Sequence, residues 1–240
     1  MNFLVKKFGG TSVGSLERIE RVAERLAQDI GRGELPIVVV SAMSGETNRL
    51  VAMAEAIDPD YRGPAYDMLV ASGEQVSVAL LSIALQKRGL KPQPLLAYQL
   101  GIHTDKVYSK ARIQSIEGQR LIRLCQDGFV PIVAGFQGVD EDDNITTLGR
   151  GGSDTTAVAL AAAIQARDCE IYTDVAAVCT GDPRIIPGAK ELEKLSFEEM
   201  MEMASLGSKV LHIRCVEIAA KYGIRIHLRS TFESRPGTWI

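Results

Sequence analysis

The stretch Lys6-Lys7-Phe8-Gly9-Gly10-Thr11-Ser12 has the residue types of an anion-binding turn. Adjacent glycines let backbone N–H groups approach an anion with no Cβ in the way, and the lysine before them adds a full positive charge. An apolar run leads in. Over 15–30, apolar residues recur at Leu16, Ile19, Val22, Ala23 and Leu26, which is helical spacing. The glycines therefore fall between a strand and a helix N-terminus, where free backbone donors and the helix dipole favour negative charge. Two common phosphate-binding patterns are excluded. A Walker loop places its lysine after the last glycine, and the dinucleotide fingerprint needs G-x-G-x-x-G, which this turn lacks. Taken alone, a Gly-Gly turn is an ordinary tight connection, so its chemistry depends on what else reaches it.

Small and polar residues recur at the predicted ends of other strands, over 41–47, 150–154 and 173–174. In parallel α/β sheets ligands bind beyond the carboxyl ends of strands. Several such turns converging on one sheet edge suit a large, multiply charged anion, and ATP fits that description.

The elements that must position these turns are partly readable. Continuous apolar runs over 37–40 and 130–134 have the character of strands buried on both faces, and 170–173 and 224–228 read as further strands. Helical patterns alternate with them from about Thr47, over 111–126, from the 150–154 turn to about Arg167, and over 210–222. Ser72 with Gln75 and Ser196 with Glu199 read as capping boxes that open helices, the first running to Gly89. Residues 94–98 read as a short strand, and 136–140 with 145–148 as a hairpin about an Asp-Asp-Asn turn. Strands alternating with helices predict an α/β fold with a mostly parallel sheet covered on both sides, with no repeat or linker dividing the chain.

Composition sets outer limits. Of 240 residues, 46% are hydrophobic and 24% charged, as in an ordinary globular protein, and the net charge of -3 argues against nucleic acid or an anionic membrane as partner. No run reads as the roughly 18 apolar residues of a membrane span and no signal peptide opens the chain, so a cytoplasmic location is expected. Cys125, Cys169, Cys179 and Cys215 form no C-x-x-C pair and read as reduced, buried thiols. His103, His212 and His227 lack ligand spacing, so no structural metal is expected. Trp239 and Ile240 are candidates for exposed apolar surface.

Five ordered motifs carry a resemblance. Lys7-Phe8-Gly9-Gly10-Thr11-Ser12, Ser72-Gly73-Glu74, Gly149-Arg150-Gly151-Gly152-Ser153-Asp154, Thr173-Asp174-Val175 and Asp182-Pro183-Arg184 together resemble the aspartokinases of the amino-acid kinase superfamily, in order and spacing along the whole chain. The resemblance implies a three-layer αβα sandwich with a mostly parallel central sheet. It implies a single catalytic domain over 1–240, with about 1–150 holding the amino acid and about 151–240 the nucleotide. The implied reaction moves the γ-phosphoryl group of ATP, with Mg²⁺, onto the side-chain carboxylate of L-aspartate, the first step toward lysine, threonine and methionine.

By the same resemblance Lys7 contacts the transferring phosphate, Gly9 and Gly10 donate N–H groups to it, and Lys209 is a second nucleotide-contacting lysine. Lys6, one residue away, is sent to the opposite face by strand alternation. Asp154 orients the lysines. Arg150 and Glu74 take the α-carboxylate and α-amino group of the substrate, with Ser41, Thr47 and Ser153 adding hydrogen bonds. Thr173, Asp174, Cys179, Asp182 and Arg184 fall in the adenosine and phosphate segment, although Cys179 stands where the family usually has an aromatic residue and Ala177 where it often has glycine. Typical members continue into ligand-binding regulatory (ACT) domains, and 1–240 carries none. Feedback control is therefore expected to lie outside this sequence, with a homodimer or a separate regulatory subunit as possible partners. Two other readings stay open: a kinase for another acidic acceptor such as glutamate or acetylglutamate, and a catalytically silent nucleotide-binding subunit.

Overall fold

The computed structural model describes residues 3–240. The chain runs β1 (Phe3–Phe8), α1 (Leu16–Gly31), β2 (Leu35–Val40), α2 (Glu46–Ile57), α3 (Pro64–Gln86), β3 (Pro92–Leu95), β4 (His103–Thr104), β5 (Ile113–Ser115), α4 (Gln119–Gln126), β6 (Val130–Ala134), β7 (Gln137–Val139) and β8 (Ile145–Thr147). It continues through α5 (Gly152–Ala163), β9 (Asp168–Thr173), β10 (Val178–Cys179), β11 (Glu191–Leu192), α6 (Phe197–Ser205), α7 (Ile213–Tyr222), β12 (Arg225–Ser230) and β13 (Thr238–Trp239).

The central sheet has the order β13-β12-β9-β1-β2-β6-β3. Every pairing in it is parallel except that of β13 with β12. Alternation along the strands divides the core into two faces. Val5, Ile37 and Val39 join Leu121, Leu160, Val216 and other residues of α4, α5 and α7 on one side. Phe8, Val38 and Val40 join Val22, Leu26 and Leu81 of α1 and α3 on the other. This is the expected αβα arrangement with a mostly parallel sheet. A smaller sheet, β5-β4-β7-β8, carries the hairpin that leads into the Gly149–Asp154 turn. Helix α5 is buried nearly all round, and its alanines let it lie close against β1.

Several elements differ from the sequence reading. Ser72 and Gln75 do not open a helix: α3 starts at Pro64, and the Ser72 hydroxyl donates to the Leu69 carbonyl within it. Proline at the first helical position is itself a start signal, and it lies upstream of the apparent capping box. Residues 111–126 split into β5 and α4, because 113–115 pair antiparallel with β4. The 94–98 strand is shifted to β3 and followed by a 3₁₀ turn over Ala97–Leu100. Helix α5 ends at Ala163, and α7 begins only after His212, whose ring accepts the Arg214 N–H as an N-cap.

Helix α3 is also long and apolar enough to cross a membrane, with a mean hydropathy of 1.7, contrary to the expectation that no such run exists. It is a core helix here: it packs on α1, α2 and β3 and buries Asp67 and Glu74. Ile240 is buried and Trp239 stacks on His227 at 3.9 Å, so the chain end is not an exposed apolar surface. Cys125, Cys169 and Cys215 are buried and free, with Cys179 half-buried.

Candidate active site

Lys7 and Lys6 leave β1 on opposite faces, as alternation requires. Lys7 turns toward α5, where its Nζ lies 2.5 Å from Asp154 Oδ1, both side chains being largely buried. The first turn of α5 supplies that carboxylate, and an acid there complements the helix dipole. At Gly10 an added Cβ would come within 2.8 Å of the Ala42 carbonyl oxygen, so glycine lets the β1 turn close on the loop after β2. The Gly9 N–H is donated to the Tyr172 carbonyl at 3.0 Å, whereas the Gly10 N–H has no partner among the described residues. Of the two expected donors, Gly10 is thus the free one.

A cleft of about 330 Å³ opens beside this pair. Lys7, Gly10, Ser41, Thr47, Glu74, Arg150, Ser153 and Asp154 all line it, joining residues from β1, the β2–α2 segment, α3 and the α5 N-terminus. Glu74 is buried in the middle of α3. Its Oε1 accepts the Ala42 N–H at 3.0 Å, and its buried Oε2 has no hydrogen-bond partner among the described residues. Burial raises its pKa to about 7, against the lowering effects of the Ala42 N–H and of Lys7. Arg150 is exposed on its turn, with no carboxylate partner among the described residues. The cleft therefore offers a free guanidinium, a buried carboxylate oxygen without a partner, and a lysine fixed by an aspartate. A small zwitterion with a second negative group would satisfy all three.

The remaining predicted residues lie outside the cleft lining. Thr173 ends β9 beside β1 and hydrogen-bonds Asp174 at 3.0 Å. Cys179 lies on β10, and Asp182 and Arg184 pair with each other at 2.8 Å on an exposed loop, which holds the Asp182 carboxyl down to about 2. Lys209 is exposed between α6 and α7. That segment is anchored near the α5 N-terminus, where His212 packs against Gly151 and Arg214 donates to the Leu148 carbonyl at 2.8 Å.

Sequence reasoning missed Phe136, which lines the cleft in the left-handed region at φ 70° with its N–H bonded to Thr156. It also missed Asp67, a fully buried carboxylate at the start of α3. A first-turn acid after a proline reads as a dipole complement, and nothing local marks either residue.

The model of the amino acid kinase family matches residues 2–230. An aspartate kinase of Stutzerimonas stutzeri (strain A1501) is 54% identical over 240 residues, and the chain spans only 58% of that relative's length. The aspartate kinase structure from Synechocystis superposes with a TM-score of 0.86 at 47% identity, covering 99% of this chain and 39% of that one. E. coli aspartokinase III, in complex with aspartate and ADP, superposes with a TM-score of 0.89 at 30% identity, covering 99% of this chain and 64% of that one. A family model that matches nearly the whole chain, with relatives alike in sequence and structure, shows that this chain belongs to the amino acid kinase family.

Proposed function

We propose that this chain is the catalytic region of an aspartate kinase, which transfers the γ-phosphoryl group of ATP to the side-chain carboxylate of L-aspartate. The observation that carries the reading is the cleft itself, where Lys7 held by Asp154 stands with a free Arg150 and the unpartnered Glu74 oxygen. The aspartate kinase relatives support it.

The acceptor carboxylate is ionised at neutral pH, so no general base is required. Its oxygen attacks the γ-phosphorus, the bond to the bridging oxygen breaks, and the electron pair leaves with ADP, giving 4-phospho-L-aspartate. The barrier is repulsion between two anions, which positioning and fixed positive charge lower. Lys7 supplies that charge, and Asp154 fixes its Nζ. Arg150 would bind the α-carboxylate as a bidentate fork and Glu74 the α-ammonium, with Ser41, Thr47 and Ser153 donating hydrogen bonds.

Gly10, Thr173, Asp174, Cys179, Asp182, Arg184 and Lys209 would hold the nucleotide beyond the ends of β1 and β9. In this reading about 1–150 is the acceptor half and about 151–240 the nucleotide half, and the reaction runs in the cytoplasm. Mg²⁺ would arrive with ATP and screen its phosphates. Among the described residues no group of three or more His, Cys, Asp or Glu is placed to hold a metal ion.

The test is turnover with Mg-ATP across a panel of acidic amino acids, trapping acyl phosphate as its hydroxamate. Aspartate-dependent hydroxamate is expected. Product with glutamate or acetylglutamate alone would move the assignment to another acceptor, and ATP binding without any product would indicate a silent subunit.

A further inference from the structure

The acceptor side of the cleft leans on a residue outside it. Asp67 is fully buried in the first turn of α3, and among the described residues no cation pairs with it. Its two oxygens accept the Ser109 N–H at 3.0 Å each, and Oδ2 also accepts the Thr147 N–H at 2.6 Å. A buried anion without a cationic partner must be stabilised by such dipoles, and these come from two segments far apart in sequence.

Both segments frame the Arg150 turn. Thr147 closes β8, three residues before Arg150. Ser109 is held in the left-handed region at φ 66°, uncommon for a residue with a side chain. Its carbonyl oxygen lies against Gly149, where an added Cβ would approach it to 2.9 Å. Glu74 follows Asp67 by seven residues on the same helix, nearly two turns and about 10 Å of rise, so the two carboxylates share a face. Helix α3 thus holds Glu74 directly and the Arg150 turn through Asp67.

We propose that Asp67 is a positioning residue for the acceptor: by tying Ser109 and Thr147 to α3, it fixes the separation between Arg150 and Glu74. That separation sets which length of acidic amino acid fits. The substrate half of this inference rests on the aspartate kinase reading; the anchoring half does not.

Asp67→Asn replaces an acceptor-only carboxylate with an amide that turns an NH₂ toward N–H donors. Hydrogen–deuterium exchange over 147–154 is expected to speed up about tenfold, with β1 and β2 unchanged. KM for aspartate should rise about tenfold or more while KM for Mg-ATP stays within about twofold, and the preference for aspartate over glutamate in kcat/KM should narrow. Unchanged exchange would overturn the proposal, and so would faster exchange with an unmoved KM for aspartate. Asp67→Ser, which leaves a small acceptor and room for water, serves as the second variant. If neither variant folds, Asp67 supports the whole fold rather than the acceptor, and the proposal fails. Faster exchange in a protein that turns over no acidic amino acid would support the anchor and remove the aspartate kinase reading instead.

Discussion

In the proposed function Glu74 is a buried carboxylate that must be charged to bind the substrate ammonium, which makes it a titrating switch. Burial lifts its pKa to about 7, while the Ala42 N–H and Lys7 pull the other way. If Glu74 takes the substrate ammonium, only its ionised form binds. KM for aspartate should therefore fall as pH rises through about 7 and level off above it, and Glu74→Gln should give a raised KM that no longer varies there. Stability carries the opposite sign. Between the ordinary glutamate value of 4.5 and about 7 the folded protein holds a proton that the unfolded chain has released, so stability falls as pH rises across that window. Relative to the unmutated protein, Glu74→Gln should therefore gain on the order of 1–3 kcal/mol in thermal unfolding at pH 8 compared with pH 5. Equal pH dependence in both proteins would show that Glu74 titrates normally. The sequence gives Glu74 a place beside Gly73 but not this pKa, because burial is supplied by the loop after β2, more than thirty residues away in the chain.

At the scale of elements, the close approach of α3 to that loop decides where Glu74 points. Gly73 sits inside the helix, where glycine is worth about 1 kcal/mol less than alanine. An added Cβ there would lie 2.9 Å from the Ala42 Cβ. Propensity and packing thus oppose each other, and overpacking of this kind costs about 1–3 kcal/mol. Gly73→Ala should lower Tm and raise KM for aspartate, while adding Ala42→Gly should recover most of both. A stabilised Gly73→Ala variant with intact KM would mean that propensity wins and the contact is slack. The same tension explains which elements were legible. Strands such as Ile37-Val38-Val39-Val40 announce themselves because burial on both faces demands an unbroken apolar run. Helix α3 starts earlier than its sequence suggests, since Ser72 and Gln75 mimic a cap that its upstream Pro64 makes unnecessary. The sequence of β5 has the pattern of a helix because its pairing with β4 is a tertiary event that two or three residues of periodicity cannot reveal.

For the whole molecule, the decisive junction is where β1 meets β9. Strands β1, β2, β3 and β6 come from the first part of the chain and β9, β12 and β13 from the last, and they join only along that pairing. The Gly9-Gly10 turn and the Thr173 end of β9 meet there, so motifs more than 160 residues apart come to one edge of the sheet. Alternation made half of this readable, since it separated Lys6 from Lys7, but the carboxylates awaiting Lys6 were not visible in the sequence. Lys6 is buried with Asp29 and Glu34 at 2.5 Å and Glu170 at 3.4 Å, and Arg229 of β12 reaches Glu170 at 3.0 Å. This network ties β1 to α1, β9 and β12 on the face away from the cleft. The two adjacent lysines should therefore fail in different ways. Removing one partner from a buried ionic cluster typically costs about 3–5 kcal/mol, so Lys6→Met should lower Tm by about 10 °C while the folded fraction keeps a near-normal kcat. Lys7→Ala removes the charge aimed into the cleft and should lower kcat by about 100-fold or more; because it leaves Asp154 unpaired it lowers Tm as well, so kcat is what separates the two variants. Measured side by side, a Lys6→Met protein that melts normally but has lost kcat would place Lys6 in the catalytic machinery and undo the division of labour that strand alternation imposes.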